Sequence, residues 1–183
     1  MVPVVNIVTE VVQKVSVAIT PYLQTINNKY EGVRFDYGHP ADIIAKIVQF
    51  GPTEENRFKK YPLIGLFLDF PQTRGVNNET ETRVKLSMFI CIGTQANYTP
   101  QQRTQQSFVP ILIPIYDELM KQFLKHNAVI KPENLKIPHE YVERYQWGKG
   151  GLEYYDNGKK NVFNDFIDAI ELINLELDLK NIC

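Results

Sequence analysis

Cysteine is almost absent from the 183 residues, with only Cys91 and Cys183 present and no Cys-x-x-Cys pair between them. That excludes a disulfide framework and a four-cysteine zinc site, and it fits a reducing intracellular setting. Cys91 sits in an apolar run and reads as a small core or sheet residue, and Cys183 does not begin a prenylation box. Histidine is equally sparse. His39, His126 and His139 are the only three, and none has the HxxxH or HExxH spacing that a metal centre needs. All three read as structural, with His126 placed to offset a helix dipole. No metal or cofactor is expected.

Charge of one sign is also missing. The 20 basic and 21 acidic residues leave a net charge of −1, which gives no general field for nucleic acid or an anionic membrane. The basic groupings Arg57-Phe58-Lys59-Lys60 and Lys159-Lys160 have acidic neighbours and read as solvated faces. Long apolar runs are absent too: Asn6, Thr9, Glu10 and Lys14 interrupt the apolar start, short of the ~20 residues of a membrane span. With no basic lead-in or small-residue cleavage site, a signal peptide is not expected, and the chain reads as soluble and cytoplasmic when made.

Catalytic signatures are wanting. No serine lies in GxSxG, and neither cysteine has a nucleophile signature. Gly148-Lys149-Gly150-Gly151 is superficially similar to a phosphate loop but lacks the GxxxxGK[ST] spacing and the following helix. The acidic pairs Glu54-Glu55 and Asp165…Asp168 read as polar surface. Asp156-Asn157-Gly158 is a turn signal, since the other ligand positions of a calcium loop are missing. A hydrolase assembled from distant residues stays open only through scattered acids and histidines, and a pocket joining His139 to a carboxylate would favour it.

What is present is an ordinary globular mixture, 44% hydrophobic and 22% charged, long enough for one domain with a substantial core. Residues 4–28 are predicted helical, from apolar steps of three and four through Val4, Val8, Val11, Val15, Ala18, Tyr22 and Ile26, with Pro21 a possible break. Residues 29–41 are predicted as a connection, 42–50 as a strand and 53–60 as a loop. The nearly continuous apolar run 61–70 predicts a strand covered on both faces. Residues 82–93 alternate. Val84, Leu86, Met88, Ile90 and Ile92 face one way, opposite Arg83, Lys85, Ser87 and Cys91, with Phe89 the apolar exception. Residues 71–81 form a long polar hairpin tip.

Thr99-Pro100 predicts a helix entry, cap followed by proline. The helix then runs to about His126 along Phe108, Leu112, Ile115, Leu119 and Phe123. Pro110 and Pro114 predict a kink, or a regular helix only from near Val109. Residues 139–147 read as a strand and 162–168 as a short helical turn. The final strand has Ile173, Leu175, Leu177 and Leu179 on its buried side. The fold class is α+β: a mainly antiparallel sheet packed by an N-terminal and a central helix, in a single domain over 1–183.

One enrichment remains. Tyr141, Tyr145, Trp147, Tyr154 and Tyr155 cluster late in the chain, and such residues favour interfaces because they join apolar area to a polar tip. A sheet face sealing the core is the alternative reading.

The order of elements resembles the tail-terminator (tail-completion) proteins and related neck ring subunits of long-tailed bacteriophages. The likeness rests on the N-terminal helix, Tyr61-Pro-Leu-Ile-Gly-Leu66, the strand Val84 to Gly93, Thr94 to Arg103 leading into Pro110 to Leu119, and the closing Tyr145-Gln-Trp-Gly-Lys149 and Asn164 to Ile170. It covers most of residues 2–180, as pattern and order rather than as a diagnostic motif. It implies a non-enzymatic virion subunit that forms a ring, typically a hexamer, which caps the tail tube and joins it to the head connector. Partners would be other copies, the tail tube protein and the head connector protein, with DNA only passing through the lumen and no membrane. Assembly would occur in the host cytoplasm before incorporation in the virion. The tip 71–81 and the loop 148–160 become candidate contact elements, and Arg74, Asn77, Asn78, Tyr145, Trp147, Lys149, Tyr154 and Tyr155 candidate subunit contacts. The stretch 127–165 exceeds a minimal domain of this kind and stands as an extra contact element. Another head–tail connector or a tail tube component is the nearest alternative.

Overall fold

The computed structural model describes residues 3–50, 54–74, 81–147, 153–156, 159–162 and 166–180. Helix α1, Val4–Ile26, opens the fold. It is long and apolar enough, by length and composition, to cross a membrane, but Val8, Val11, Val15 and Leu23 on its inner face are buried in the protein core. Pro21 is accommodated inside it. The expected stripe holds only to Val15. Beyond it Ile19 and Leu23 turn inward, while Ala18, Tyr22 and Ile26 are exposed, because 3.6 residues per turn carries steps of three and four around the helix.

Strand β1, Arg34–Gly38, pairs in parallel with β2, Leu63–Phe67. Helices α2, Pro40–Gln49, and α3, Glu54–Lys60, make the crossover, as a parallel pair requires. Here the structure corrects three expectations: 34–38 is a strand, 42–49 a helix and 54–60 a helix. Ile43, Ile44 and Ile47 are all buried, a helical spacing that their β-branched character disguised.

The six-stranded sheet has the path β1-β2-β4-β8-β5, with β3, Gln72–Arg74, beside β4. Strand β4 is Glu81–Gly93, β5 is Glu140–Trp147 and β8 is Ile167–Lys180. All pairings except β1 with β2 are antiparallel, so the α+β class holds. The alternation of β4 is as expected, with Val84, Leu86, Met88, Ile90 and Ile92 buried, and its other face passes from exposed Arg83 and Lys85 to buried Phe89 and Cys91. In β8 the register shifts opposite Leu86 and Met88, and Asn174 takes φ +53°. The buried row therefore runs through Ile170 and Leu172 and resumes at Leu175, bypassing Ile173.

On one face Ile64, Ile90 and Ile170 stand in line, as do Leu66, Met88 and Leu172. This face lies under α1 and the long helix that closes it. Lys46 of α2 bonds Asp36 at 2.5 Å, and Asp36 shares a register line with Gly65 and Phe89, so α2 lies over the opposite face at the β1 edge.

The long helix begins as α4, Pro100–Arg103, continues as a π-helical stretch, Thr104–Leu112, and ends as α5, Ile113–Lys125. Thr99 and Gln102 close a reciprocal capping box, as the sequence predicted. The prolines do not break the rod. Pro110 lies within the π stretch and Pro114 in the first turn of α5, and the wider π turn relieves the clash that a proline makes with an α-helical carbonyl.

Strands β6, Glu153–Asp156, and β7, Lys159–Val162, pair with each other as a separate two-stranded sheet among the described residues, so the expected loop 148–160 contains a strand and part of a second. Lys46 and Ile47 belong to the helix that touches β6. The expected helical turn at 162–168 is not formed by its described residues: Val162 belongs to β7 and 167–168 to β8.

Candidate interaction surface

Strand β5 is an edge of the sheet, so one row of its backbone groups has no strand beside it among the described residues. Its alternate side chains divide two tasks. Tyr141 and Tyr145, 38% and 41% exposed, lean toward the long helix. The Tyr145 ring lies 4.7 Å from that of Phe108, and Tyr141 meets Tyr116 edge-on at 5.0 Å. Glu143 stands between the two tyrosines: Tyr141 donates to Oε1 at 3.1 Å and the Tyr145 hydroxyl is 3.4 Å from Oε2. Burial, then the charge and hydrogen bond of Glu143, push the Tyr141 phenol far above its ordinary value. Burial and then Asp117 raise Tyr116.

Trp147 belongs to the other face. Its ring packs 4.7 Å from Phe89, and its indole N–H donates to Glu171 at 2.7 Å. Arg144 donates to the other oxygen of that carboxylate at 2.8 Å. The change of side occurs at the irregularity between Arg144 and Trp147, where Gln146 has φ +53°. There the Gln146 N–H donates to Asp168 Oδ1 at 3.1 Å. Asp168 also accepts from Arg103, whose guanidinium donates in addition to the carbonyls of Gln95 and Tyr98. One buried carboxylate thus ties the tyrosine end of β5 to the start of the long helix. Asp168, expected at the surface, is fully buried. Nothing in the sequence links the two: Arg103 lies in a polar stretch, and Asp168, although flanked by Ile167 and Ala169, reads as polar surface together with Asp165.

Of the other expected contacts, Arg74 falls in β3, and Tyr154 and Tyr155 fall in β6. Asn77, Asn78 and Lys149 lie outside the described residues. The structure brings Tyr145 and Trp147 onto one strand but on opposite faces, and Arg74 lies on a different strand.

The histidines are bonded into the fold. His39 accepts the Ala41 N–H at 3.3 Å. His126 accepts the Ala128 N–H on Nδ1, leaving Nε2 to donate to Glu10 at 3.1 Å. His139 donates from Nδ1 to the Ile137 carbonyl at 2.8 Å and accepts the Tyr116 hydroxyl on Nε2 at 3.0 Å. Its partners among the described residues are thus a phenol and a carbonyl. No group of three His, Cys, Asp or Glu side chains capable of holding a metal occurs among the described residues. A scan against protein-family models gives no match to this chain, and a search of curated proteins gives none.

Proposed function

We propose that this chain is a non-enzymatic ring subunit of a bacteriophage neck, one that closes the tail tube and joins it to the head connector. The observation that carries the proposal is that, among the described residues, the main path of the sheet ends on two unlike strands, β1 at one side and β5 at the other. A closed ring is built from head-to-tail contacts, so each copy must present two unlike surfaces. The β5 edge supplies one, with Tyr141 and Tyr145 exposed beside it, and aromatic side chains of this kind are enriched at interface centres. The β1 edge, where Tyr37 is 46% exposed, supplies the other. A net charge of −1 suits a lumen through which DNA passes without being held. The order of elements noted in the sequence supports the same assignment, with other copies, the tail tube and the head connector as partners.

Mass photometry and negative-stain microscopy of the purified protein, alone and with tail tubes and connectors, test this reading. The expected outcome is a closed ring whose mass is a small multiple of 21.2 kDa. Long filaments would point instead to a tube subunit. A chain that stays single with every phage component present overturns the proposal.

A further inference from the structure

A cavity of about 360 Å³ opens beside the start of β1, walled by Phe50, Phe58 and Tyr61 and carrying Arg34, Lys59 and Glu31. Its size lies within the range of small-molecule sites, which combine apolar walls with few polar groups. Arg34 is the anomaly. Among the described residues its Nη1 is buried without a hydrogen-bond partner, and its Nη2 reaches only Asp36, at 3.6 Å. Lys46 bonds the other oxygen of that carboxylate at 2.5 Å, so two cations share one negative charge. The Arg34 guanidinium carbon lies 4.2 Å from the centre of the Phe50 ring, a cation–π contact at the cavity wall. A buried N–H without an acceptor is rare in folded proteins and asks for an explanation.

We propose that this cavity binds a small aromatic carboxylate. The carboxylate takes the Arg34 fork, the arrangement for which a guanidinium is best shaped. Lys59 adds a second positive charge, and the ring of the ligand lies among Phe50, Phe58 and Tyr61. Since Nη1 is shielded in the empty cavity, entry requires a small turn of the guanidinium, whose side chain is 27% exposed. All of its residues come from one chain, so the site is tested on the single subunit.

The probe is 4-fluorobenzoate, followed by fluorine NMR and calorimetry on the full chain. Saturable binding is expected, weakened at least tenfold by Arg34→Gln and several-fold by Lys59→Gln, and unchanged by Arg144→Gln at the far edge of the sheet. Arg34→Lys, which keeps the charge and loses the fork, should also bind weakly. Circular dichroism of each variant separates lost binding from lost folding, and Lys59→Gln carries the test if Arg34→Gln unfolds. Absence of saturable binding overturns the proposal. So does equal affinity for 4-fluorobenzamide, which removes the role of charge, or for inorganic phosphate, which removes the role of the aromatic walls.

Discussion

Arg103 Nη1 lies 2.8 Å from Asp168 Oδ1, in an ion pair whose side chains are 2% and 0% exposed. The two residues are 65 positions apart, and their meeting joins the first turn of the long helix to the start of β8. Both charges have left water, so their separate loss is expected to be costly. Arg103→Met or Asp168→Leu should destabilise the fold by about 3–5 kcal/mol, since each strands one buried charge. The double variant Arg103→Met with Asp168→Leu should cost clearly less than the sum. Urea denaturation of the four proteins measures this, and additive losses would contradict the coupling.

Gly65 illustrates a different constraint. A methyl group there would stand 2.1 Å from the Phe89 ring, which packs over it on the face that also holds Trp147. Gly65→Ala should cost about 1–3 kcal/mol by overpacking. The loss should shrink when Phe89→Leu is already in place, although that change lowers the starting stability. Thermal melts of the single and double variants show whether the two positions are coupled.

The pH response of the aromatic edge has a definite sign. Tyr141 and Tyr116 have phenols raised above their ordinary value, first by burial and then by neighbouring carboxylates. A raised folded value means that folding favours the neutral phenol. Its stabilisation is complete below the unfolded value, about pH 10, and is lost as pH rises beyond it toward the folded value. Tyrosinate absorbance should therefore show a late-ionising fraction that shrinks in Tyr141→Phe. Stability should fall above about pH 10 less steeply in that variant.

Much of this fold was legible because its signals are long. The alternation over Val84–Ile92 and the cap at Thr99-Pro100 each involve several residues that agree, and both appear in the structure. The crossover was hidden for the opposite reason. Helix α2 has ten residues, and its isoleucines suit a strand by local preference, so tertiary packing decided the outcome. The bulge at Gln146 has no residue that favours positive φ, and Asn174, which does tolerate it, stands inside a strand-like alternation; both bulges reset which side chains are buried. That is why Trp147 and Tyr145, two positions apart, face opposite ways, and why Ile173 leaves the buried row. The aromatic enrichment was visible, but its division between core and surface depended on a bulge.

That division yields the test of the aromatic edge. Tyr145 is exposed but stacked on Phe108, so Tyr145→Ala should cost about 0.5–1.5 kcal/mol for the lost ring pair and leave the chain folded. Under the ring proposal, Tyr141→Lys with Tyr145→Lys should abolish assembly while circular dichroism stays native, because a charge is desolvated at the centre of the contact. Trp147→Phe should do the reverse. It removes the hydrogen bond to Glu171 and lowers the melting temperature, yet assembly persists at temperatures where the variant is folded. Sedimentation velocity of the three proteins distinguishes these outcomes. Rings that survive the double lysine change would show that copies meet elsewhere, and rings lost in Trp147→Phe while it remains folded would move the contact to the opposite face of the sheet.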